Sequence, residues 1–332
     1  MDVSRSLCRW GWIAPLFITL PCLGAPTIKQ SQQAFIKATA SEYHLSQKKI
    51  GTILKHAKKL PIVISKISTP YESKPFDVYT RHFLTKTRVA EGTSFWKSHQ
   101  KTLKLAQKKY GVDPSVIIAI LGVETLYGRE KGNYPVLDAL YTLSFYYPPR
   151  AGFFSHELGE YLAMCHNQHI SPYAVHGSYA GAFGMPQFMP SSYRAYGVDY
   201  SKNHHIDLMH NTNDVIMSVA NYLAKAGWHA NQPIASLTKR THKTIPPKFI
   251  SRNAAPNTNI AQLAKHGIYS DVAASEKQAA SIIALNTVKS KEYFVAFPNL
   301  HSIMKYNPSL NYAMTVYQLS KAIRKQHEQQ TS

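Results

Sequence analysis

Acidic residues are scarce in this sequence. Its 332 residues hold 18 Asp plus Glu against 38 Lys plus Arg, a formal net charge of +20. So basic a chain suits polyanions: nucleic acid, an anionic membrane face, or an acidic polymer such as a cell wall. No arginine-rich arm, zinc finger or RNA-binding signature accompanies the charge, so no nucleic-acid partner is expected. Cysteine is scarcer still, with three in all. Cys8 and Cys22 fall near the N-terminus, so a chain cut near Gly24 keeps only Cys165. That excludes an internal disulfide and leaves the fold to rest on its core. Cys165 itself, within Tyr-Leu-Ala-Met-Cys-His, reads as a small buried hydrophobe. The N-terminal apolar run, Trp10 to Leu20, is too short for a comfortable membrane span. Arg5 and Arg9 precede it and Cys22-Leu-Gly24 follows with small residues, the pattern of a secretory signal over 1–24. Export to the periplasm is the expectation. An outer-membrane lipoprotein anchored at Cys22 is the alternative, for which Thr19-Leu20-Pro21 is a poor lipidation signal.

What is present reads as mainly α, in an α+β class. A basic N-terminal helical segment spans 25–75, with helices over 33–45 and 46–60 that end at Pro61. Residues 76–83, containing Tyr79, read as extended. A single amphipathic helix is expected over 94–110, ended by Gly111. Further helices are expected over 136–147, 153–166 and 214–226, placing a helical core over 76–229. Residues 230–300 form a small mixed insertion, in which Ser281-Ile-Ile-Ala-Leu and Glu292-Tyr-Phe-Val-Ala-Phe read as a hairpin. Residues 301–332 complete the core with a helix over 312–326.

One helix stands out. Asp113 can cap it and Pro114 fits its first turn. Val116, Ile117, Ile118, Ile120, Leu121 and Val123 then make it apolar nearly all round, which implies burial. Glu124 ends that run, with Gly128 offering a stop. A carboxylate there faces partial desolvation, which favours its protonated form and suits a general acid for glycosidic bonds. The plainer reading is a Glu at a frayed helix end, solvated or paired with Arg129 or Lys131. Glu130, Asp138, Glu157, Asp199, Asp207 and Asp214 all lie in less apolar segments, so a mechanism with a single carboxylate is worth considering. The Gly-, Ser-, Pro- and aromatic-rich stretch 177–193 can hold a ligand against exposed backbone or pack as a turn.

Around residue 200 the chain offers oxygens at alternate positions, Asp199, Ser201 and Asn203, with Asp214 beyond, as a calcium loop does. His204 stands where such a loop needs glycine and Lys202 adds repulsion, so no working metal site is expected, and no cofactor. His204, His205 and His210 lack the spacing of a helical zinc pair, and no nucleophile elbow is present.

Four blocks, Gly122-Val-Glu-Thr-Leu-Tyr-Gly128, Leu137-Asp-Ala-Leu-Tyr-Thr-Leu-Ser-Phe145, Gly181-Ala-Phe-Gly-Met-Pro-Gln-Phe-Met-Pro-Ser-Ser192 and Ser218-Val-Ala-Asn-Tyr222, together resemble the lytic murein transglycosylase B family, glycoside hydrolase family 103. The resemblance runs from about Phe35 to the last helix. It implies a lysozyme-like helical core with a helical N-terminal part and a small β-containing insertion. It implies peptidoglycan glycan strands as partner. A monomer is the expectation for this chain, with peripheral membrane association or a lipid anchor at Cys22 as the alternative to a free protein. The activity it implies is non-hydrolytic cleavage of the MurNAc–GlcNAc bond to 1,6-anhydroMurNAc ends. A hydrolytic muramidase and a non-catalytic wall-binding protein are the rival readings. By the same resemblance Glu124 matches the sole catalytic acid/base, and Ser178 and Gln187 match polar groups of the cleft. Phe188, Tyr222 and Tyr312 match aromatics bordering the sugar sites, Tyr306 and Asn307 lie beside them, and Tyr79 falls at a further cleft tyrosine. The chain departs from the family at Leu126 and Tyr127, where Arg and Trp are common, and in the calcium loop.

Overall fold

A computed structural model describes residues 27–68, 74–240 and 244–331. The expected export signal, with Cys22, lies outside the described residues.

Three helices form the N-terminal part: α1 (Ile28–Tyr43), α2 (Gln47–His56) and α3 (Pro61–Ile67). Thr27 and Gln30 form a reciprocal capping box at the start of α1. His44, in the left-handed region at φ 54°, turns the chain into α2. Pro61, expected to end a helix, instead opens α3, where a residue without an N–H fits the first position.

The stretch expected to be extended is helical: α4 (Phe76–Phe83) buries Phe76 and Tyr79, three residues apart, on one face. Its packing against the last helix decides between strand and helix. The single helix expected over 94–110 is two, α5 (Lys86–Ser98) and α6 (Gln100–Tyr110), bent at His99. The bend forfeits no backbone bond at its centre, because His99 N–H still reaches Phe95 O (3.0 Å) and His99 O accepts from Leu103 N–H (3.0 Å). It lets α5 pack on the last helix while α6 packs on the helix Thr212–Lys225.

Next comes α7 (Pro114–Thr125), the centre of the molecule. Asp113 Oδ1 accepts from Ser115 N–H (2.9 Å) and Pro114 occupies the first turn, as expected of these residues. Val116, Ile117, Ile118, Ala119, Ile120 and Leu121 are all fully buried. Burying each larger side chain contributes roughly 1.5–3 kcal/mol relative to leaving it exposed. This all-round burial, rather than helix propensity, stabilises a segment rich in β-branched residues.

The antiparallel partners α8 (Val136–Tyr146) and α9 (Ala151–Asn167) pack under the N-terminal helices, followed by α10 (Pro190–Tyr196) and α11 (Thr212–Lys225). Two short strands, β1 (Tyr134–Pro135) and β2 (His176–Gly177), pair beside α8. Five further strands are β3 (Ala235–Arg240), β4 (Thr258–Asn259), β5 (Ile268–Ser270), β6 (Ala279–Asn286) and β7 (Lys291–Ala296), with α12 (Ile260–Lys265) between β4 and β5. They form an antiparallel sheet in the order β4-β6-β7-β3-β5. The expected hairpin is β6–β7, in register from Ser281 opposite Ala296 to Asn286 opposite Lys291. Ile283, Leu285 and Phe294 join the main core. Ile282, Val295 and Phe297 form a second small core with Phe249, Leu263 and Ile268.

The chain closes with α13 (Pro298–Tyr306) and α14 (Leu310–Thr331). The last helix packs along α7, α5 and α4. It holds α7 at both ends: Arg324 forms an ion pair with the capping Asp113, and Tyr312 reaches Glu124. The architecture is thus a mainly helical, lysozyme-like core carrying a five-stranded sheet and a two-stranded one.

Candidate active site

Glu124 lies half-buried in the last turn of α7. The helix stops earlier than Gly128: Leu126 and Tyr127 themselves adopt left-handed conformations, at φ 49° and 59°. Such backbone is costly for residues with a Cβ and needs outside support. Thr125 supplies part of it, donating to Met185 O (2.8 Å) while its hydroxyl oxygen accepts from Gly128 N–H (3.0 Å). Tyr127 supplies the rest, donating to Arg88 O (2.7 Å). Its hydroxyl passes through a gap between α5 and α7 left by Gly92 and Gly122. A Cβ at Gly122 would sit 2.7 Å from that hydroxyl oxygen, so the close approach requires glycine there.

Arg129 and Lys131, the two cations that could have paired with Glu124, are engaged elsewhere. Arg129 pairs with Glu91 (2.6 Å), and Lys131 donates to Met209 O (2.5 Å). Instead Tyr312 donates its hydroxyl to Glu124 Oε1 at 2.6 Å. Burial first, and the charge of Glu124 second, push the Tyr312 and Tyr306 hydroxyls well above their ordinary pKa. Both therefore stay protonated and serve as donors across the neutral range.

From Glu124 a row of tyrosines leads away. Tyr312 and Tyr306 are stacked with centroids 6.4 Å apart and planes 9° from parallel. Tyr222 follows at 4.7 Å from Tyr306, and Tyr196 at 4.4 Å from Tyr222. The hydroxyls fix the rings by bonding to backbone: Tyr306 to Pro186 O and Tyr222 to Lys305 O, both at 2.5 Å. Phe188, only 2% exposed, lies beneath Tyr222 and Tyr306 at 5.7 and 5.8 Å. It supports the row from behind rather than offering a face of its own. Asn307 is half-buried at the α13–α14 turn, next to Tyr306. Tyr79 is buried on α4, tilted against Phe83 and close enough to Tyr312 to act on its hydroxyl electrostatically.

Loop 177–193 is tightly built. Phe183 and Phe188 exchange backbone hydrogen bonds (2.9 and 3.1 Å), and Met185 N–H reaches Leu208 O (2.8 Å). Ser178 and Gln187 contribute to this scaffold. Ser178 Oγ accepts from Ala180 and Ala182 N–H (3.2 and 3.1 Å), and Gln187 Nε2 donates to Lys131 O (3.0 Å) and Gly184 O (2.9 Å). Gln187 also takes a left-handed φ of 49°. The stretch is a packed turn, and through Pro186 O it also anchors Tyr306.

The calcium-like loop turns its oxygens inward. Asp199 accepts from Asn203 N–H (3.2 Å) and His204 N–H (2.7 Å), and Asp214 from Tyr200 and Asp207 N–H (both 3.0 Å). Asn203 Oδ1 accepts from His205 N–H (3.0 Å), while Ser201 Oγ lies 3.5 Å from Asn211 Nδ2. His204, standing for glycine, sits at φ 63°, where glycine would be unstrained. Asp214 is held above the usual carboxylate range by burial, against the pull of its two amide donors.

The structure therefore brings Glu124, Tyr79, Phe188, Tyr222, Tyr306 and Tyr312 together, with Ser178, Gln187 and Asn307 in the segments beside them. Tyr196 and the hydroxyl of Tyr127 carry no signal in the sequence. Tyr196 ends the short polar helix α10, and the role of Tyr127 depends on glycines in two different helices.

The chain and its fold have relatives. A profile of the Transglycosylase SLT domain matches residues 27–321. The chain belongs to this family. It is 36% identical over 301 residues to membrane-bound lytic murein transglycosylase B of Escherichia coli (strain K12), covering 88% of this chain and 82% of that one. Among solved structures, soluble lytic transglycosylase SltB1 from Pseudomonas aeruginosa is 35% identical with a TM-score of 0.82, covering 90% of this chain and 99% of that one. Escherichia coli Slt35 in complex with calcium is 35% identical with a TM-score of 0.80, covering 90% and 93%. Leu126 and Tyr127, where the sequence departs from the expected pattern, fall on the left-handed turn after Glu124, and the tyrosine hydroxyl there bonds Arg88 O.

Proposed function

We propose that this transglycosylase cleaves the β-1,4 bond between MurNAc and GlcNAc in peptidoglycan without water, using Glu124 as its sole general acid/base. The observation carrying this reading is the Tyr312–Glu124 hydrogen bond at the head of the tyrosine row. It is supported by the fate of the other buried acids. Glu157 accepts from Ser191 N–H (2.9 Å) and Oγ (2.6 Å), Glu160 from Tyr43 (3.0 Å) and Arg194, and Asp214 from two backbone amides. Each of these three is committed to holding the fold.

Protonated Glu124 donates to the departing GlcNAc oxygen as the glycosidic bond breaks. Positive charge developing at the muramyl anomeric carbon is met by the substrate's own 2-acetamido oxygen rather than by a second carboxylate. Glu124, now basic, accepts the proton of the muramyl 6-hydroxyl as that oxygen attacks, closing the 1,6-anhydro ring. The half-buried Tyr306, Tyr222 and Tyr196 offer stacking faces for sugar rings, and an aromatic-lined site keeps water from competing. The net positive charge suits strands bearing peptide carboxylates, and binding is expected to weaken with salt. The same reading places the mature chain in the periplasm, either cut near Gly24 or anchored at Cys22. The mass of the mature N-terminus distinguishes the two.

Glu124→Gln is expected to lower cleavage of sacculi by on the order of 100- to 10,000-fold with an unchanged melting temperature. Mass spectrometry of a wild-type digest is expected to show 1,6-anhydroMurNAc ends. Reducing ends alone would assign the site to a muramidase, and binding without any released product would leave only a wall-binding role.

A further inference from the structure

The outer face of α6 gathers positive charge that no step of the cleavage uses. Residues 92–112 hold five lysines and no Asp or Glu. Four of the five, Lys101, Lys104, Lys108 and Lys109, are exposed on α6. At 3.6 residues per turn they fall within an arc of about 140°. Leu105 lies inside the same arc and is 39% exposed, whereas Thr102, Leu103 and Ala106 point inward and are buried. Among the described residues no ion pair neutralises any of these lysines. The N-terminal run from Lys48 to Lys66 is also basic, but its cations are dispersed. Lys49 meets His166 (3.3 Å), Lys59 lies over the Tyr146 ring and Lys66 over Tyr134. On α6 only Lys109 rests on a ring, that of its neighbour Tyr110 (5.0 Å), and the charges converge.

Towards the end of α6 this face borders a cavity of about 460 Å³. Lys108 and Lys109 line it from α6, and the exposed Lys202 from the loop before α11. Leu105, Val198 and the buried Met217 supply apolar surface. Asp199 is the one acid in the lining, and its carboxylate already accepts from Asn203 N–H (3.2 Å) and His204 N–H (2.7 Å). Three ammoniums against one carboxylate leave the concavity cationic. The helix beneath is firmly seated, since Thr102 donates its hydroxyl to Asn213 Oδ1 at the start of α11 (2.6 Å). No residue of the tyrosine row lines the cavity.

The ammoniums call for an anion, and the apolar residues among them decide which kind. A polyanion in solution gains nothing from an exposed leucine or from the carbon surface of Val198 and Met217. A phospholipid surface meets both needs, offering phosphates to the ammoniums and apolar carbon just beneath them. Lysine stems lie along apolar surface while their charged ends reach outward, so Leu105 and the stems around it suit the headgroup boundary. We propose that the outer face of α6 and the adjoining cavity dock the protein on a membrane of anionic phospholipid, with no covalent lipid required. The proposal is independent of how the glycosidic bond is cleaved. Each lysine close to such a surface strengthens binding by about fivefold, an attraction that fades with salt. The tyrosine row lies outside the docking face and remains open to a glycan strand.

Vesicle co-sedimentation tests this on the chain from Ala25 onward, which contains every described residue and carries no lipid at Cys22. Wild type is expected to bind vesicles of phosphatidylcholine mixed with phosphatidylglycerol, and not phosphatidylcholine alone. Lys101→Ala/Lys104→Ala/Lys108→Ala should weaken binding to the mixed vesicles by about 100-fold. Lys265→Ala/Lys289→Ala/Lys291→Ala removes the same charge from exposed positions of the insertion and should bind much as wild type does. Leu105→Ala should weaken binding several-fold without any change of charge. All these positions are exposed, so melting temperatures should hold. Equal losses in the two triple variants would reduce the effect to net charge and overturn the proposal, as would unchanged binding by Leu105→Ala. Purified sacculi provide the last arm, to which the α6 variant should bind nearly as wild type does. A loss there as large as on vesicles would assign the face to the wall polymer and overturn the membrane reading.

Discussion

The pair Tyr312–Glu124 sets what a single residue can do in this site. Glu124 is placed by its helix, but the orientation of its carboxyl is governed by a hydroxyl 2.6 Å away on another helix. Removing that hydroxyl leaves the ring and its stacking on Tyr306 in place. A hydrogen bond to a charged group is worth about 1.5–3 kcal/mol, which corresponds to about 10- to 100-fold in rate. Tyr312→Phe is therefore expected to lower kcat by roughly that factor with little change in KM, measured on soluble glycan fragments. A loss confined to KM would instead assign Tyr312 to substrate binding alone. Tyr222 and Tyr306 differ in kind, since their hydroxyls bond to backbone and serve to hold the rings.

At the scale of elements, α7 is positioned by its neighbours at both ends and along its flank. Arg324 and Tyr312, both on α14, hold its start and its finish, so the register between the two helices sets where Glu124 lies. Along the flank the Tyr127 hydroxyl threads the gap beside Gly122 and Gly92 to reach Arg88 O. A methyl at position 122 would meet three atoms of the Tyr127 ring and hydroxyl within 3.0 Å. Gly122→Ala is expected to expel that ring, destabilise the protein by roughly 1–3 kcal/mol through overpacking, and release the left-handed turn after Glu124. Calorimetry and a glycan-release assay should both register the loss. Tyr127→Phe is the milder companion, leaving Arg88 O without its donor at a cost of about 1 kcal/mol.

Across the whole molecule, many ionisable hydroxyls and the one described cysteine are buried in neutral form. Burial pushes the Cys165 thiol up to about 12, and Tyr127, Tyr161, Tyr193, Tyr222, Tyr306 and Tyr312 are all raised, burial being the largest cause in each. In the unfolded chain these groups lose their protons near pH 9 for cysteine and about pH 10 for tyrosine, whereas the native groups keep theirs. The unfolded state then binds fewer protons, so stability is fully present below about pH 9 and falls as the pH rises toward 12. The urea midpoint should be flat from neutrality to about pH 9 and then decline. A midpoint that holds steady up to pH 11 would contradict this account. In the native protein Cys165 should be inert to thiol reagents at pH 8 and react once unfolded.

The sequence by itself determined the helical class, the capped and wholly buried α7 with its carboxyl end-residue, the β6–β7 hairpin and the inert cysteine. Those features follow from local chemistry: apolar periodicity, a capping aspartate and a proline in a first turn. The scarcity of acids likewise marks out Glu124, the one carboxyl set at the end of so apolar a segment. Only the tertiary structure decided that residues 76–83 are helical and that the chain bends at His99, because packing against α14, α7 and α11 outweighs local preference there. Only it showed Tyr196 extending the row, Phe188 beneath it, and Tyr127 threaded between two glycines, since each depends on residues far apart in the chain. The helix carrying Glu124 was legible from its own residues. Which partner its carboxyl faces was not, because that partner stands 188 positions away on α14.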